Sequence, residues 1–467
     1  MNIFARFKRW FESMFKKQAK EEFKIKQITT DTMDSLISQC ARVYVGNPDW
    51  VDSEDHITTV NFAKTICSEV ATLTTLAIKV QIGGGARADW MQSIIDKLYF
   101  QLREWVEYGC AYGTVILKPA GDEVSLILPD NFIVVSKKQE NVTAAVFIDH
   151  ANEDDRYYTK LEYHRFMDDE VYMITNRTYV SSSKEKIGDP CNIADTPWSD
   201  LLPEVAIQGL ERPLFAVLRT PKANNVEIGS PLGLPVYYDA LEELKDLDIA
   251  YSRNSKEIKD SKRTVLLDSD RLLPSGMPIR NTAGGFESAK DGLGLPDYVK
   301  AVYGDGRDTF YQEINPTLQT DMRITGINNL LSQIGFKCGF ANGYFVLDQK
   351  TGMITATQVE ADDRRTIQTI KDTRDKLEKC IDDLLYSLNA FADLYNLAPA
   401  GTYEVTYDFG DITYNREEDR LRWWQYVQAG KVPAWMYFVK FEGMTEEDAK
   451  AMAEEAKPET PALFGEE

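Results

Sequence analysis

Apolar residues recur three and four positions apart from Ile367 to Tyr395, where Ile367, Ile370, Leu377, Ile381, Leu384, Leu388, Phe391 and Tyr395 make one stripe broken by a single charge, Arg374. This spacing predicts a long one-sided helix, which needs a partner surface along its whole length. A shorter helical string, ITGINNLLSQIGFKCGF, precedes it across ANGYFVLDQKTGMI, so Pro316 to Asn396 reads as helix, loop, helix. Nearer the N terminus the same period marks TTDTMDSLISQCARVY and NFAKTICSEVATLTTLAIKV as helices parted by the turn-rich VGNPDWVDSEDH, with a second helical pair around Ala88 to Cys110. The period then shortens to two. TVILKPA, EVSLILP, FIVVSKK, TAAVFIDH, RYYTKLEYHRF and EVYMITNRTYV read as strands, and the turns at Asn152 to Asp155 and Met167 to Glu170 fold the last three into an antiparallel meander.

Residues 181–232 are irregular and read as a connecting excursion. Pro235 then opens a helix through VYYDALEELKDLDIAYSRNSKEIKDSKRTVLL, with Tyr237, Leu241, Leu244, Tyr251, Asn254 and Ile258 on one face and a polar second half carrying Lys256, Lys259, Lys262 and Arg263. Asp268 to Asp308 is rich in Gly, Pro and charge, too long for an ordinary loop, and two helices rise from its ends. That arrangement is a projecting tip on a two-helix stalk. After Ala398 the chain predicts a strand, TYEVTYDFG, and helices over Arg416 to Gln428 and Thr445 to Ala456, the latter capped by Thr445 with Asp448 three residues on. The final dozen residues, acidic and punctuated by proline, read as mobile.

With 467 residues, 43% of them hydrophobic, the chain has enough for about two to four packed units and is not wholly disordered. No apolar run reaches membrane-spanning length, and the opening MNIFARFKRWFESMF lacks a secretory pattern, so synthesis in a cytosol is expected. Residues 1–26 hold eight Lys/Arg against three Glu, interleaved with aromatic residues at helical spacing; this suits either an anionic membrane surface or docking on the protein's own acidic body.

Candidate chemistry is sparse. Six dispersed cysteines, Cys40, Cys67, Cys110, Cys191, Cys338 and Cys380, form no CxxC motif and read as reduced, mostly buried thiols. Three scattered histidines, His56, His150 and His164, leave little for a metal site or a triad. No P-loop occurs, and GGGARAD at Gly83 and GDGRD at Gly304 read as turns without the strand before and helix after that a dinucleotide site needs. The acidic groups Glu153, Asp154, Asp155 and Asp168, Asp169, Glu170 read as hairpin turns, and Glu360, Asp362, Asp363 as acids favoured at a helix start. No enzyme, cofactor or metal is expected. A net charge of −21 argues against a protein that grips phosphates; it suits general solubility, and equally a wall past which DNA must slide.

Six strings then stand in a telling order over about residues 30–456: NFAKTICSEVATL, VEYGCAYGTVILKP, YYTKLEYHRF before EVYMITNRTY, GLPVYYDALEELKDLDIAYSRNSKEIKDSKRTVLL, GMITATQVEADDR and VQAGKVPAWMYFVKFEGMTEEDAKAM. In content and order they resemble the portal proteins of tailed phages, in the form found in phages of Gram-positive hosts. Asp268 to Asp308 matches in length and position only. The resemblance implies an α+β subunit: a basic amphipathic segment (1–27), a mixed α/β wing (28–232), a stem helix (233–267), a projecting clip (268–314), a second stem helix (315–340), a tunnel loop (341–356), a long wing helix with a strand (357–410), and a helical crown with an acidic tail (411–467).

It further implies a homo-oligomeric ring, usually dodecameric, at one vertex of the virion capsid, made in the bacterial host cytoplasm. Partners implied are double-stranded DNA in the channel, the terminase large subunit, the head-tail adaptor, and the major capsid and scaffolding proteins. By position, Asn342, Tyr344, Gln349 and Lys350 of the tunnel loop and Lys256, Lys259 and Lys262 of the stem would face DNA. Arg271, Arg280, Lys290, Asp291 and Asp297 of the clip would dock motor and adaptor, while Tyr237, Leu241, Leu244, Ile367, Ile370, Leu377, Ile381 and Leu388 would pack subunits together or lie in the core beneath. Two other classes compete: a cytoplasmic coiled-coil scaffold with a membrane-surface N-terminal helix, and an acid-cluster nuclease acting through Asp363.

Overall fold

The computed structural model describes residues 14–51, 56–153, 155–167, 171–261, 264–268, 299–302, 311–314, 318–346, 356–410, 416–429, 431–442 and 444–455. They fall into two compact units, one running through Thr75 and from Lys79 to Tyr407, the other comprising Leu76–Ile78 and the chain from Asp408 onward.

In the larger unit, helix α1 (14–22) buries Phe15 and Ala19 against Ile133, Val146 and Tyr163, and Lys16 Nζ donates to the Pro129 carbonyl at 2.8 Å. Of the two placements open to the basic start, this part docks on the protein itself. Helices α2 (Asp31–Tyr44) and α3 (Phe62–Thr75) follow as expected, α2 capped by the Thr30 hydroxyl accepting from Met33 N. The expected helical pair around Ala88 is instead one helix of 27 residues, α4 (Ala86–Tyr112), because Met91, Ile94, Leu98, Leu102 and Trp105 keep the three-four spacing without a break. It stops at Gly113, whose φ of +79° and approach to Gly233, 2.4 Å from where a Cβ would sit, leave room for glycine alone.

GGGARAD also departs from its reading as an isolated turn, since strand β1 (Lys79–Gly84) ends in it and α4 begins there. The glycines nonetheless cradle no nucleotide. β1 pairs with β14 (Tyr403–Asp408), and a Cβ on Gly84 would meet the Thr402 carbonyl at 2.6 Å, so the requirement is close passage of the chain's own backbone.

The strand-rich middle follows the period-two pattern closely. β2 (Thr114–Ala120), β3 (Glu123–Ile127), β4 (Phe132–Lys138), β5 (Asn141–Glu153), β6 (Arg156–Phe166) and β7 (Tyr172–Ser181) form two sheets, the antiparallel meander β4-β5-β6-β7 in one and β2-β3 in the other. Residues 181–232 do more than connect. They supply β8 (Asp189–Cys191) and β9 (Glu204–Ile207) to the meander and β10 (Ala216–Arg219) to β2, and they bury Leu214, Phe215 and Leu232. Short apolar runs between prolines hid this contribution. Phe215, Leu232 and Leu234 share a core with Met33, Ile37, Ile116 and Phe147, which joins α2 to both sheets.

The first stalk helix is shorter than its sequence pattern. After a 3₁₀ turn at Tyr238–Ala240, α5 spans Leu241–Asp260, and TVLL belongs to strand β11 (Thr264–Asp268). Its buried face is Leu244, Leu247, Asp248 and Ser252, whereas Tyr251 and Ile258, read onto one face with Leu244, are 47% and 52% exposed. β11 lies between β12 (Val299–Val302), parallel, and β13 (Tyr311–Ile314), antiparallel, so described parts of the expected tip form a three-stranded sheet. Helices α6 (Thr320–Cys338) and α7 (Ala356–Tyr395) complete the unit, α7 running 40 residues.

The smaller unit holds α8 (Arg416–Gln428), α9 (Ala434–Glu442) and α10 (Glu446–Glu455). α9 was not foreseen, because VPAWMYFVKFEG is too short and too uniformly apolar to show a period. Trp423, Trp424, Tyr437 and Phe441 pack ring to ring, and the Thr445 hydroxyl accepts from Asp448 N at 3.2 Å as the capping pattern requires. The acidic final dozen residues lie outside the described residues.

Candidate functional site

The parts expected at a channel are α5, α6 and the turn after α6, which leads towards α7. α5 and α6 lie antiparallel and are clasped at both ends: Lys337 reaches Glu243 at 2.5 Å, and fourteen residues further along each helix Arg323 pairs with Glu257, which also accepts from Gln319 N at 3.0 Å. α5 is fixed to the body through Asp248, which accepts from Trp50 Nε1 and Val60 N, both at 2.8 Å. Lys222 fixes α6, donating to the Lys337 carbonyl at 2.8 Å at the helix C terminus, where the backbone dipole favours a cation.

Past α6 the chain turns at once. Phe340 is fully buried, and Tyr344 and Phe345 stack about it, each with its ring centroid 4.8–4.9 Å away. The Tyr344 hydroxyl donates to Glu69 of α3, so this expected DNA-facing residue is tied to the body, at 38% exposure. Asn342 is exposed; Gln349 and Lys350 lie outside the described residues. On the stem Lys256 and Lys259 are exposed, and Lys262 is outside the description, as are Arg271, Arg280, Lys290, Asp291 and Asp297 of the expected clip.

The residues expected at subunit contacts divide differently. Tyr237, Leu244, Ile370, Leu377, Ile381 and Leu388 are at most 3% exposed within the single chain, so their area is already covered by its own core. Tyr237 is held there by its hydroxyl, 2.9 Å from the Cys40 carbonyl and 3.1 Å from that of Ala111. Leu241 and Ile367 are half-buried. Exposed apolar area on the stem includes Tyr251, Ile258, Leu318, Met322 and Phe336.

Three buried polar constructions escaped the sequence reading. Arg374, the charge within the stripe, donates from Nε to the Thr74 carbonyl at 3.1 Å and from Nη2 to that of Leu73 at 3.0 Å, capping the C terminus of α3. Arg87, 2% exposed, uses all five N–H groups on the far end of α7: Nε to Pro399 O, Nη1 to Asn389 O and Oδ1, Nη2 to Asp393 Oδ1 and Ala398 O, all within 2.6–2.9 Å.

The third is a seam between the two sheets. Lys118 and Lys160 approach Glu162 Oε2 at 2.8 and 2.7 Å, Asp149 lies 3.1 Å from Lys160, and Glu162 Oε1 meets His164 Nε2 at 2.6 Å. Burial alone would raise the Glu162 carboxyl; Lys118 and Lys160 outweigh it and hold it well below the usual range. Lone polar positions 160, 162 and 164, alternating in a strand, were the available signal.

Among the described residues no cluster of His, Cys, Asp or Glu has metal-binding geometry, and burial pushes the Cys40, Cys110 and Cys338 thiols up to about 12, away from nucleophilic use. The side chains of Glu360, Asp362 and Asp363 lie outside the description.

No curated protein matches the chain. Among solved structures it is similar at 11% identity to chains of the virion of a native gene transfer agent particle, covering 90% of this chain and 95% of that one with a TM-score of 0.40. It is similar at the same identity to chains of the neck of an empty gene transfer agent particle computed with C6 symmetry (90% and 95%, TM-score 0.41) and of the native neck computed with C12 symmetry (89% and 95%, TM-score 0.40). The sequence itself matches the family described as phage portal protein, SPP1 Gp6-like, over residues 42–462, from within α2 past the end of α10. On that match, which takes in the stalk, the loop and the long helix together, the chain belongs to the SPP1 Gp6-like family of phage portal proteins.

Proposed function

We propose that the protein is the portal of a tailed phage of a Gram-positive host: a ring, usually of twelve copies, at one capsid vertex, through which double-stranded DNA is packaged and ejected. The observation that carries this reading is the clasped antiparallel pair α5 and α6, with a small sheet at one end and a loop running into a 40-residue helix at the other, in a chain of the portal family. In the ring, each stem offers two different faces, as a heterologous contact requires, and Tyr251, Ile258 and Met322 are apolar surface available for it. Residues 268–314 act as the clip for the terminase large subunit and later the head-tail adaptor; the wing contacts major capsid and scaffolding proteins. The chain has no enzymatic role.

Its acidity fits passage of DNA. At a net charge of −21 per copy, a ring repels phosphates overall, and a grip repeated around it would stall movement. Weak contacts from Asn342, Gln349, Lys350, Lys256, Lys259 and Lys262 would centre the duplex without holding it.

Electron microscopy of the purified protein in negative stain, with its solution mass, tests the reading. Rings with a central hole are expected; a stable elongated dimer would favour the coiled-coil scaffold. Deleting Gln349 to Thr351 is expected to leave rings intact and to cut packaged DNA at least tenfold, measured as nuclease-protected genomes. Normal packaging by that variant would remove the tunnel-loop assignment.

A further inference from the structure

Beyond the portal reading, the seam between the sheets has a property of its own. Lys118 of β2 and Lys160 and Glu162 of β6, with Asp149 of β5, bring together two ammonium groups and two carboxylates, whose charges cancel. His164, fully buried, follows Glu162 on the same face of β6. Its surroundings fix its protonation. The Leu214 backbone N–H donates to the Tyr172 oxygen at 3.0 Å, so the Tyr172 O–H is free to donate to His164 Nδ1 at 2.8 Å, and Nε2–H donates to Glu162 at 2.6 Å. Every donor and acceptor in this line is matched by a neutral imidazole and by no other form.

A proton added to Nδ1 breaks the match twice. The Tyr172 hydroxyl loses its acceptor, and a cancelled set of charges becomes a net +1 out of reach of water. The groups facing the seam offer no relief: Glu162 already serves Lys118, Lys160 and His164; Asp149 serves the lysines; Tyr172 comes from β7, Tyr395 of α7 lies near Glu162, and rings of Phe147 and Phe215 close the remaining sides.

We propose that this seam is a proton-sensitive joint, in which protonation of His164 in mildly acidic solution releases Tyr172 and the Leu214 backbone and loosens the join between the two sheets while the surrounding helices stay folded. Burial lowers the affinity of His164 for a proton, and Lys118 and Lys160 add to this against the opposing pull of Glu162. Its contribution is therefore complete above about pH 6.5 and falls as pH drops from there toward the folded value, while Glu162 keeps its charge in that window.

Amide hydrogen exchange of the full-length protein, in whatever assembly it forms, tests this at pH 7.5 and 5.5 after correction for intrinsic rates. Peptides covering 157–181 and 210–219 are expected to lose protection by up to about tenfold per pH unit below about 6.5, while those of α4 hold. In His164→Gln, which can accept from Tyr172 and donate to Glu162 without titrating, the loss is expected to vanish. His150, also shifted downward by burial but bonded to Thr159 outside the seam, remains in that variant as an internal control. Unchanged protection in the wild type, loss spread evenly over the whole chain, or an equal loss in His164→Gln would each overturn the proposal. Should His164→Gln fail to fold, the wild-type comparison of these peptides with α4 decides alone.

Discussion

Arg87→Ala is expected to destabilise the larger unit by about 3–5 kcal/mol, the range found when a buried, fully bonded cation is removed from its partners. The guanidinium serves three backbone carbonyls, one side-chain amide and one carboxylate around the end of α7, and truncation leaves the buried acceptors without donors. Asp393 contributes least to this loss, because it is 61% exposed and water can replace its partner. Arg87→Lys is expected to recover little, since an ammonium cannot span acceptors arrayed around a planar fork. Denaturant unfolding checks both; a loss below about 1 kcal/mol for alanine would mean that α7 holds its place without the clasp.

The second large effect is at Glu162. Replacing it by alanine leaves Lys118 and Lys160, 7% and 5% exposed, with only Asp149 between them, and an expected cost of about 3–5 kcal/mol. Charge is the cause, rather than lost volume. Combining Glu162→Leu with Lys118→Met, which leaves the Lys160–Asp149 pair at 3.1 Å and no net charge, is therefore expected to restore most of the stability, because apolar side chains of similar size commonly replace a buried ion pair without loss. If the double variant is no more stable than Glu162→Ala, the seam's role is shape and not charge balance.

These two sites mark where sequence reading reaches its limit. α7 and the strands β5 to β7 were legible almost to the residue, since their period is set by neighbours a turn or a pleat away. Arg374 was visible as a break in the stripe, but its acceptors lie 300 residues earlier, and no local pattern reports a partner so far off. Tyr251 and Ile258 were read onto one face with Leu244, but within the chain α5 buries Leu244 together with Leu247, Asp248 and Ser252, since Trp50 and Val60 come to meet the Asp248 carboxylate. The expected channel residues on the loop and stem rest on position alone, and of these Tyr344 carries a bond to Glu69 that its sequence neighbours do not foretell.

The long helix has a mechanical consequence. Forty residues at about 1.5 Å each make α7 a rod of roughly 60 Å. It is held near its start by Thr366 and Thr369, which bond Ala341 N and the Gly339 carbonyl, near its middle by Arg374 at the end of α3, and at its far end by Arg87. A rod held at three points along its length moves as one body and does not hinge at any of them. A displacement of the turn at residues 339–341 would therefore be carried along the rod to the Arg87 clasp at its other end, beside the end of β1.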